Sequence, residues 1–140
     1  MENSTKISQY KFVNFLIQES QITRKPVERA KKFDIQIDVF GIIIKSKRQF
    51  QLDMIVTVSE ETKRFHAKVH AVGLFEFKED TSKQDLDNYF YINSPALIFP
   101  YVRAYIASLT ALSGMEAINL PPLNVSNLVE RLKQNTEEKD

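Results

Sequence analysis

His66 and His70 lie four residues apart, a spacing that on a helix would let both imidazoles share one zinc ion. They fall instead in an alternating run, where strand rise holds them roughly 13 Å apart. That is too far for a shared metal, so both are read as solvated surface histidines. Asp34 and Asp38 have the same spacing and the same reading, polar-face residues and not an acid–base pair. No GxGxxG, GxxxxGK[ST] or GxSxG is present, and with Gly41, Gly73 and Gly114 as the only glycines a phosphate-cradling loop is hard to build. Zero cysteines remove thiolate nucleophiles, thiolate metal sites and disulfides. The densest charge cluster is Arg24, Lys25, Arg29, Lys31 and Lys32 against Glu28 alone, read as a solvated crossover loop, with docking of an acidic partner as the alternative. Lys45, Lys47 and Arg48 fit a soluble hairpin. These residues predict no enzyme, no cofactor and no metal.

The chain has 140 residues, with 19 Lys+Arg against 18 Asp+Glu, so one domain over 1–140 is expected, with frayed ends near 1–6 and 136–140. A formal net charge of +1 gives no global field to attract nucleic acid. The start MENSTKISQYKF lacks the basic-then-apolar layout of a signal peptide, which predicts a cytoplasmic protein. No uninterrupted apolar run approaches the roughly 18 residues of a membrane span, so the chain is not expected to be integral to a membrane.

Residues 33–39, 50–58 and 65–77 alternate apolar and polar, the pattern of strands burying one face. The inward sets read Phe33, Ile35, Ile37 and Val39, then Phe50 to Val58 at every second position, then Phe65, Ala67, Val69, Ala71, Gly73, Phe75 and Phe77. The linkers KSKRQ and SEETKR are too short for parallel crossovers, which predicts an antiparallel meander. The mixed but apolar stretch 10–22 is added as a fourth strand.

Beyond about residue 83 the period changes. Ser94-Pro95 offers an N-cap and a first-turn proline, so a helix is expected to begin there, broken or kinked near Pro100. Tyr101, Tyr105, Leu109 and Leu112 form its stripe, flanked by small residues and ended by Gly114 in a left-handed cap. After NLPPLN, Val125, Leu128, Val129 and Leu132 mark a short terminal helix. Strands followed by helices predict an α+β domain: a four-stranded antiparallel sheet with a long broken helix and a short C-terminal helix packed on one face. The opposite, otherwise polar face carries Ile55, Val72 and Leu74. Phe40, Ile42 and Ile44 join them if alternation runs unbroken through Gly41, and a bulge there would reverse that. Cover by a neighbouring subunit or a loop, and a binding groove, are equally open readings of this face.

Residues 98–125, IFPYVRAYIASLTALSGMEAINLPPLNV, resemble the SecB family of bacterial protein-export chaperones. Phe99, Pro100, Tyr101, Arg103, Ile106, Ala107, Ser108 and Leu109 occupy the family's helix positions, and Asn119, Leu120, Pro122 and Asn124 its loop positions. The resemblance implies an ATP-independent holdase that assembles as a homotetramer, a dimer of dimers, and binds unfolded client polypeptides along apolar grooves. It implies client contacts at Phe33, Phe40, Ile42, Ile44, Ile55, Val72, Leu74, Leu120 and Leu123. It also implies a helix-mediated subunit interface at Tyr105, Ser108, Leu109 and Leu112. The family's partner is the SecA motor, docked through carboxylates. Glu19 stands for one of these acids, but the position near Thr23 is not acidic and Lys68 stands where a glutamate is usual. SecB-like proteins also serve antitoxins of toxin–antitoxin systems, which is the alternative role. A small-ligand-binding α+β domain, with a metabolite held between sheet and helices, is the reading from a different class.

Overall fold

The computed structural model describes residues 10–25, 32–124 and 126–140. Period-two patterning becomes four long strands, β1 (Tyr10–Arg24), β2 (Phe33–Ile44), β3 (Gln49–Glu60) and β4 (Phe65–Phe77), paired antiparallel with one another. The inward side chains of β3 and β4, from Phe50 through Val58 and from Phe65 through Phe75, are buried in the core. The tight β2–β3 and β3–β4 connections hold Arg48 and Lys63 in the left-handed region, at φ 51° and 62°.

β1 reads as mixed because it contains two register shifts against β4, between Phe12 and Asn14 and between Ile17 and Glu19. Each extra residue resets the alternation, so Tyr10, Phe12, Phe15, Ile17 and Ile22 all pack on the core. β2, by contrast, pairs with β3 without a shift through Gly41. Phe40, Ile42 and Ile44 therefore lie on the outer face, as the unbroken reading requires.

Among the described residues the sheet has five strands and not four, in the order β1-β4-β3-β2-β5. The tail expected to fray forms β5 (Thr136–Lys139), parallel to residues 41–44 of β2. Gly41 makes this possible, since a Cβ there would stand 2.6 Å from Thr136 Oγ1 and 3.0 Å from Phe50. Lys45 closes the tail with a 2.9 Å ion pair to Glu138. A four-residue polar strand has no apolar period to read. The other expected frayed end, 1–6, lies outside the described residues.

A long helix covers most of the inner face. α1 (Lys83–Leu112) starts eleven residues before the Ser94-Pro95 signal, capped by Ser82, whose Oγ accepts from Asp85 N–H at 3.1 Å. Ser94 lies buried inside it. The turns Asn88–Asn93 are π-helical, immediately before Pro95, which has no N–H to continue the ladder. Pro100 is also accommodated, on the exposed side. The buried face is Ile98, Phe99, Val102, Ile106 and Thr110, one step round from the stripe expected from Tyr101 to Leu112. Met115 N–H to Thr110 C=O and Gly114 N–H to Ala111 C=O close the end, with Gly114 at φ 90° as the sequence predicts. By length and composition α1 could cross a membrane; its buried residues Ile98, Phe99, Val102 and Ile106 belong to the core. A loop pinned by the Thr110 hydroxyl, which accepts from Ile118 N–H at 2.9 Å, leads to α2 (Ser126–Gln134), whose Leu128 and Leu132 are buried. Val125, expected in that stripe, lies outside the described residues.

Candidate functional site

α1 covers β1, β4 and β3, while α2 reaches β2 only along part of its length. Val39 is sealed, but Ile35 on the same inward row is 38% exposed. Between them lies a groove of about 270 Å³, lined by Ile35, Ile37, Phe99, residues 120–124, Asn127, Leu128 and Arg131. Its walls are apolar and its rim is polar. Burying a large side chain there gains about 1.5–3 kcal/mol.

Arg131 binds the groove to the strand edge: its guanidinium donates to the Ile37 carbonyl and lies 3.5 Å from Asp38. Asn135 Nδ2 donates to the Val39 carbonyl at 3.1 Å.

The nine expected client contacts separate onto two faces. Leu120 and Leu123 line the groove, and Leu120, only 2% exposed, forms its floor. Phe33 lies on the same side of the sheet but packs edge-to-face on Phe65, centroids 5.9 Å apart. The other six, Phe40, Ile42, Ile44, Ile55, Val72 and Leu74, are on the outer face, with Phe40 43% exposed and Val72 only 3%. Ile35, Ile37, Phe99, Leu128 and Arg131 were not singled out as site residues. The inward alternation of β2 named two of them as core, but nothing in the sequence says that the helix layer stops short.

His70 is not a solvated histidine. Its Nε2 lies 2.6 Å from Asp53 Oδ2, with both side chains about four-fifths buried on the outer face. Gln51 Nε2 donates to the other Asp53 oxygen at 2.7 Å. His66 is exposed, and no group of three metal-ligating side chains occurs among the described residues. Glu19 is exposed and sits opposite His70 in register, two positions from Lys68, so the face around it is mixed in charge and not acidic.

On α1, Leu112 is 88% exposed and Ser108 is exposed, whereas Tyr105 and Leu109 are half-buried. The Tyr105 hydroxyl already has an intramolecular partner, Ser20 Oγ at 2.7 Å. Leu97 and Tyr101, both exposed, continue the Leu112 face toward the helix start. Arg24 of the basic cluster donates to Ser113 C=O at 3.1 Å; Glu28, Arg29 and Lys31 lie outside the described residues.

A second cleft, about 810 Å³, opens between the β2–β3 turn, the first turns of α1 and β5. Its floor is Phe77, Leu86 and Phe90. Of its rim charges, Lys45 pairs with Glu138 and Arg48 lies 3.8 Å from Glu79, while Lys83, Asp87 and Lys133 also line it. The Lys45 ion pair holds the Glu138 carboxyl below the ordinary glutamate range and raises Lys45. Burial pushes the Tyr10 phenol far up, against the hydrogen bond it shares with Ser94, which lowers it.

Residues 14–136 match the family model described as preprotein translocase subunit SecB. The chain belongs to the SecB family. It is 31% identical over 105 residues to the protein-export protein SecB of Buchnera aphidicola, covering 70% of this chain and 67% of that one. Identity to the SecB of Cupriavidus pinatubonensis is 30% over 80 residues, 57% of this chain and less than half, 46%, of the relative. An uncharacterized protein of Methanocaldococcus jannaschii is 28% identical over 136 residues, covering 91% and 87%. The fold is that of the Mycobacterium tuberculosis Rv1957 SecB-like chaperone, solved in complex with a ChAD peptide from the HigA1 antitoxin (TM-score 0.71, 12% identity, 86% and 92% covered).

Proposed function

We propose that this SecB-family protein is an ATP-independent holdase of the cytoplasm, holding unfolded or partly folded polypeptides through apolar contacts and catalysing no reaction. The observation that carries this reading is the uncovered half of the β2 inner row, with Ile35 and Ile37 in a groove beside Leu123 and Leu128. Such a groove binds by area: about 25 cal/mol per Å² buried, less the cost of ordering the client. The outer-face residues Phe40, Ile42 and Leu74 supply a second, shallower apolar surface, and Val72 and Leu120 support the two surfaces from beneath. Several weak sites on one assembly then add avidity. A homotetramer formed partly through the Leu97, Tyr101 and Leu112 face of α1 would supply those copies.

Delivery of clients for export through SecA docking at Glu19 is the weaker half of this reading, because His66, Lys68 and His70 crowd the same face. An antitoxin as dedicated client is therefore the second reading, favoured by the antitoxin peptide bound to the Mycobacterium tuberculosis neighbour. A metabolite as ligand is the lower-ranked reading, since no group of three metal-ligating side chains occurs among the described residues.

The test is suppression of aggregation when a denatured client is diluted into buffer. The parent protein suppresses it at stoichiometric amounts, and Ile35→Asp and Leu123→Asp weaken it at least fivefold. Full suppression by both variants would remove the groove from the mechanism.

A further inference from the structure

We infer that the cleft between the β2–β3 turn, the first turns of α1 and β5 is a second binding site, for a small amphipathic monoanion: a carboxylate head held at the mouth and an alkyl chain laid on the aromatic floor. It shares no lining residue with the β2 groove and does not depend on the holdase reading.

The floor offers apolar surface. Phe90 is fully buried, stacked on Phe50 with centroids 4.1 Å apart and met edge-on by Phe77 at 5.4 Å. Above it, Ile43, Phe77 and Leu86 are only half-buried, so their remaining surface opens into the cleft. The volume, about 810 Å³, falls within the range of about 300–1,000 Å³ typical of small-ligand sites.

The rim sets the sign of the occupant's charge. Lys45 and Arg48 reach it from the β2–β3 turn, Lys83 from α1 and Lys133 from α2, against Glu79, Asp87 and Glu138. Lys45 is taken by Glu138 at 2.9 Å, and Arg48 has Glu79 at 3.8 Å. That leaves Lys83, Lys133 and Asp87, a surplus of one positive charge. Lys83 makes no ion pair among the described residues, and Lys133 has only Glu130, at 4.0 Å, which does not line the cleft. Both lysines belong to the wall beside the tail. Lys83 stands near enough to Glu138 to help hold its carboxyl down, and Lys133 Nζ lies 5.8 Å over the Tyr91 ring, whose hydroxyl shares a hydrogen bond with Thr136 of β5. A carboxylate between these two ammonium groups gains charge-assisted hydrogen bonds and leaves the Lys45–Glu138 pair standing. Its chain then runs inward over Leu86, Phe77 and Phe90. A neutral head gains the floor alone, and a cationic head meets the surplus charge. Because one ligand touches both α1 and the tail wall, its binding tightens β5.

The probe is decanoate, titrated calorimetrically into the full chain below its micelle concentration, beside decanol and decyltrimethylammonium as neutral and cationic heads on the same chain. Decanoate is expected to bind once per chain, at least fivefold more tightly than decanol and at least tenfold more tightly than decyltrimethylammonium. Lys83→Gln and Lys133→Gln are each expected to weaken decanoate at least threefold and leave decanol within twofold. Amide exchange across residues 136–139 is expected to slow at least fivefold with decanoate bound. Failure of decanoate to bind, equal affinity for the three heads, or full affinity in both lysine variants overturns the proposal. So does protection at Ile35 and Ile37 in place of the tail. Capture of reduced, carboxymethylated α-lactalbumin is expected to stay within twofold at saturating decanoate; loss of capture puts decanoate on the client surfaces and overturns a separate site.

Discussion

Gly73 lies directly beneath Ile98. A Cβ on Gly73 would stand 2.7 Å from Ile98 Cγ2 and 3.1 Å from the Phe75 ring, so the absence of a side chain on β4 sets how closely α1 approaches the sheet. Ile98 is fully buried and has no room to turn aside. Gly73→Val is expected to lift the helix and destabilise the protein by about 1–3 kcal/mol, as overpacked cores do. Urea unfolding checks it; a midpoint equal to the parent's would show that helix and sheet are more loosely coupled than this contact implies.

The loop that forms one wall of the groove hangs on a single hydroxyl. Thr110 Oγ1 donates to the Ile106 carbonyl at 2.8 Å and accepts from the buried Ile118 N–H at 2.9 Å. Thr110→Val keeps the shape and strands that N–H, at a cost of about 1–3 kcal/mol. Limited proteolysis between residues 113 and 124 should accelerate, with client binding weakened in parallel. Unchanged cleavage would mean that the buried Ile118 and Leu120 alone hold the loop.

Tail pairing is expected to depend on pH at both ends. The Glu138 carboxyl is depressed by Lys45, so its contribution is present above the ordinary glutamate value and is lost as pH falls through the lower folded value. The Lys45 ammonium is raised by Glu138, so its contribution is present below the ordinary lysine value and is lost as pH rises through the higher folded value. Amide exchange at Gly41 and Ile43, corrected for intrinsic rate, should quicken at acid and alkaline pH and, because the pair is exposed, in high salt. A flat profile would place the tail's anchorage in Gly41, Asn135 and Thr136 alone.

What the sequence shows and hides follows from periodicity. β2, β3 and β4 are legible because burial on one face forces alternation, whereas the face of Phe40, Ile42 and Ile44 stays open in the sequence, since a bulge at Gly41 would reverse it, and is settled only by the unshifted register of β2. β1 is blurred by its two bulges. β5, Thr-Glu-Glu-Lys, is invisible because its stabilisation comes from backbone pairing and one ion pair. The start of α1 is misplaced because Ser94-Pro95 imitates an N-terminus, whereas a π-helical turn lets the helix run straight into that proline. The groove is hidden for a different reason. Ile35 and Val39 have the same pattern in sequence, and only the reach of α1 and α2 decides that one is open and the other sealed.

The exposed face of α1 separates assembly from folding. Leu112, 88% exposed, makes little contact within the chain, so Leu112→Asp is expected to change stability by less than about 0.5 kcal/mol. Its mass by light scattering should nevertheless fall below that of the parent assembly. A parent and variant of equal mass would exclude this face from the subunit interface.

The central claim, that the protein holds unfolded chains through its apolar surfaces, is tested most directly by light-scattering mass after size-exclusion chromatography, with and without reduced, carboxymethylated α-lactalbumin. The account predicts a tetramer that co-elutes with the unfolded chain and ignores the native, disulfide-bonded form. A monomer whose mass is unchanged by the unfolded chain would contradict it.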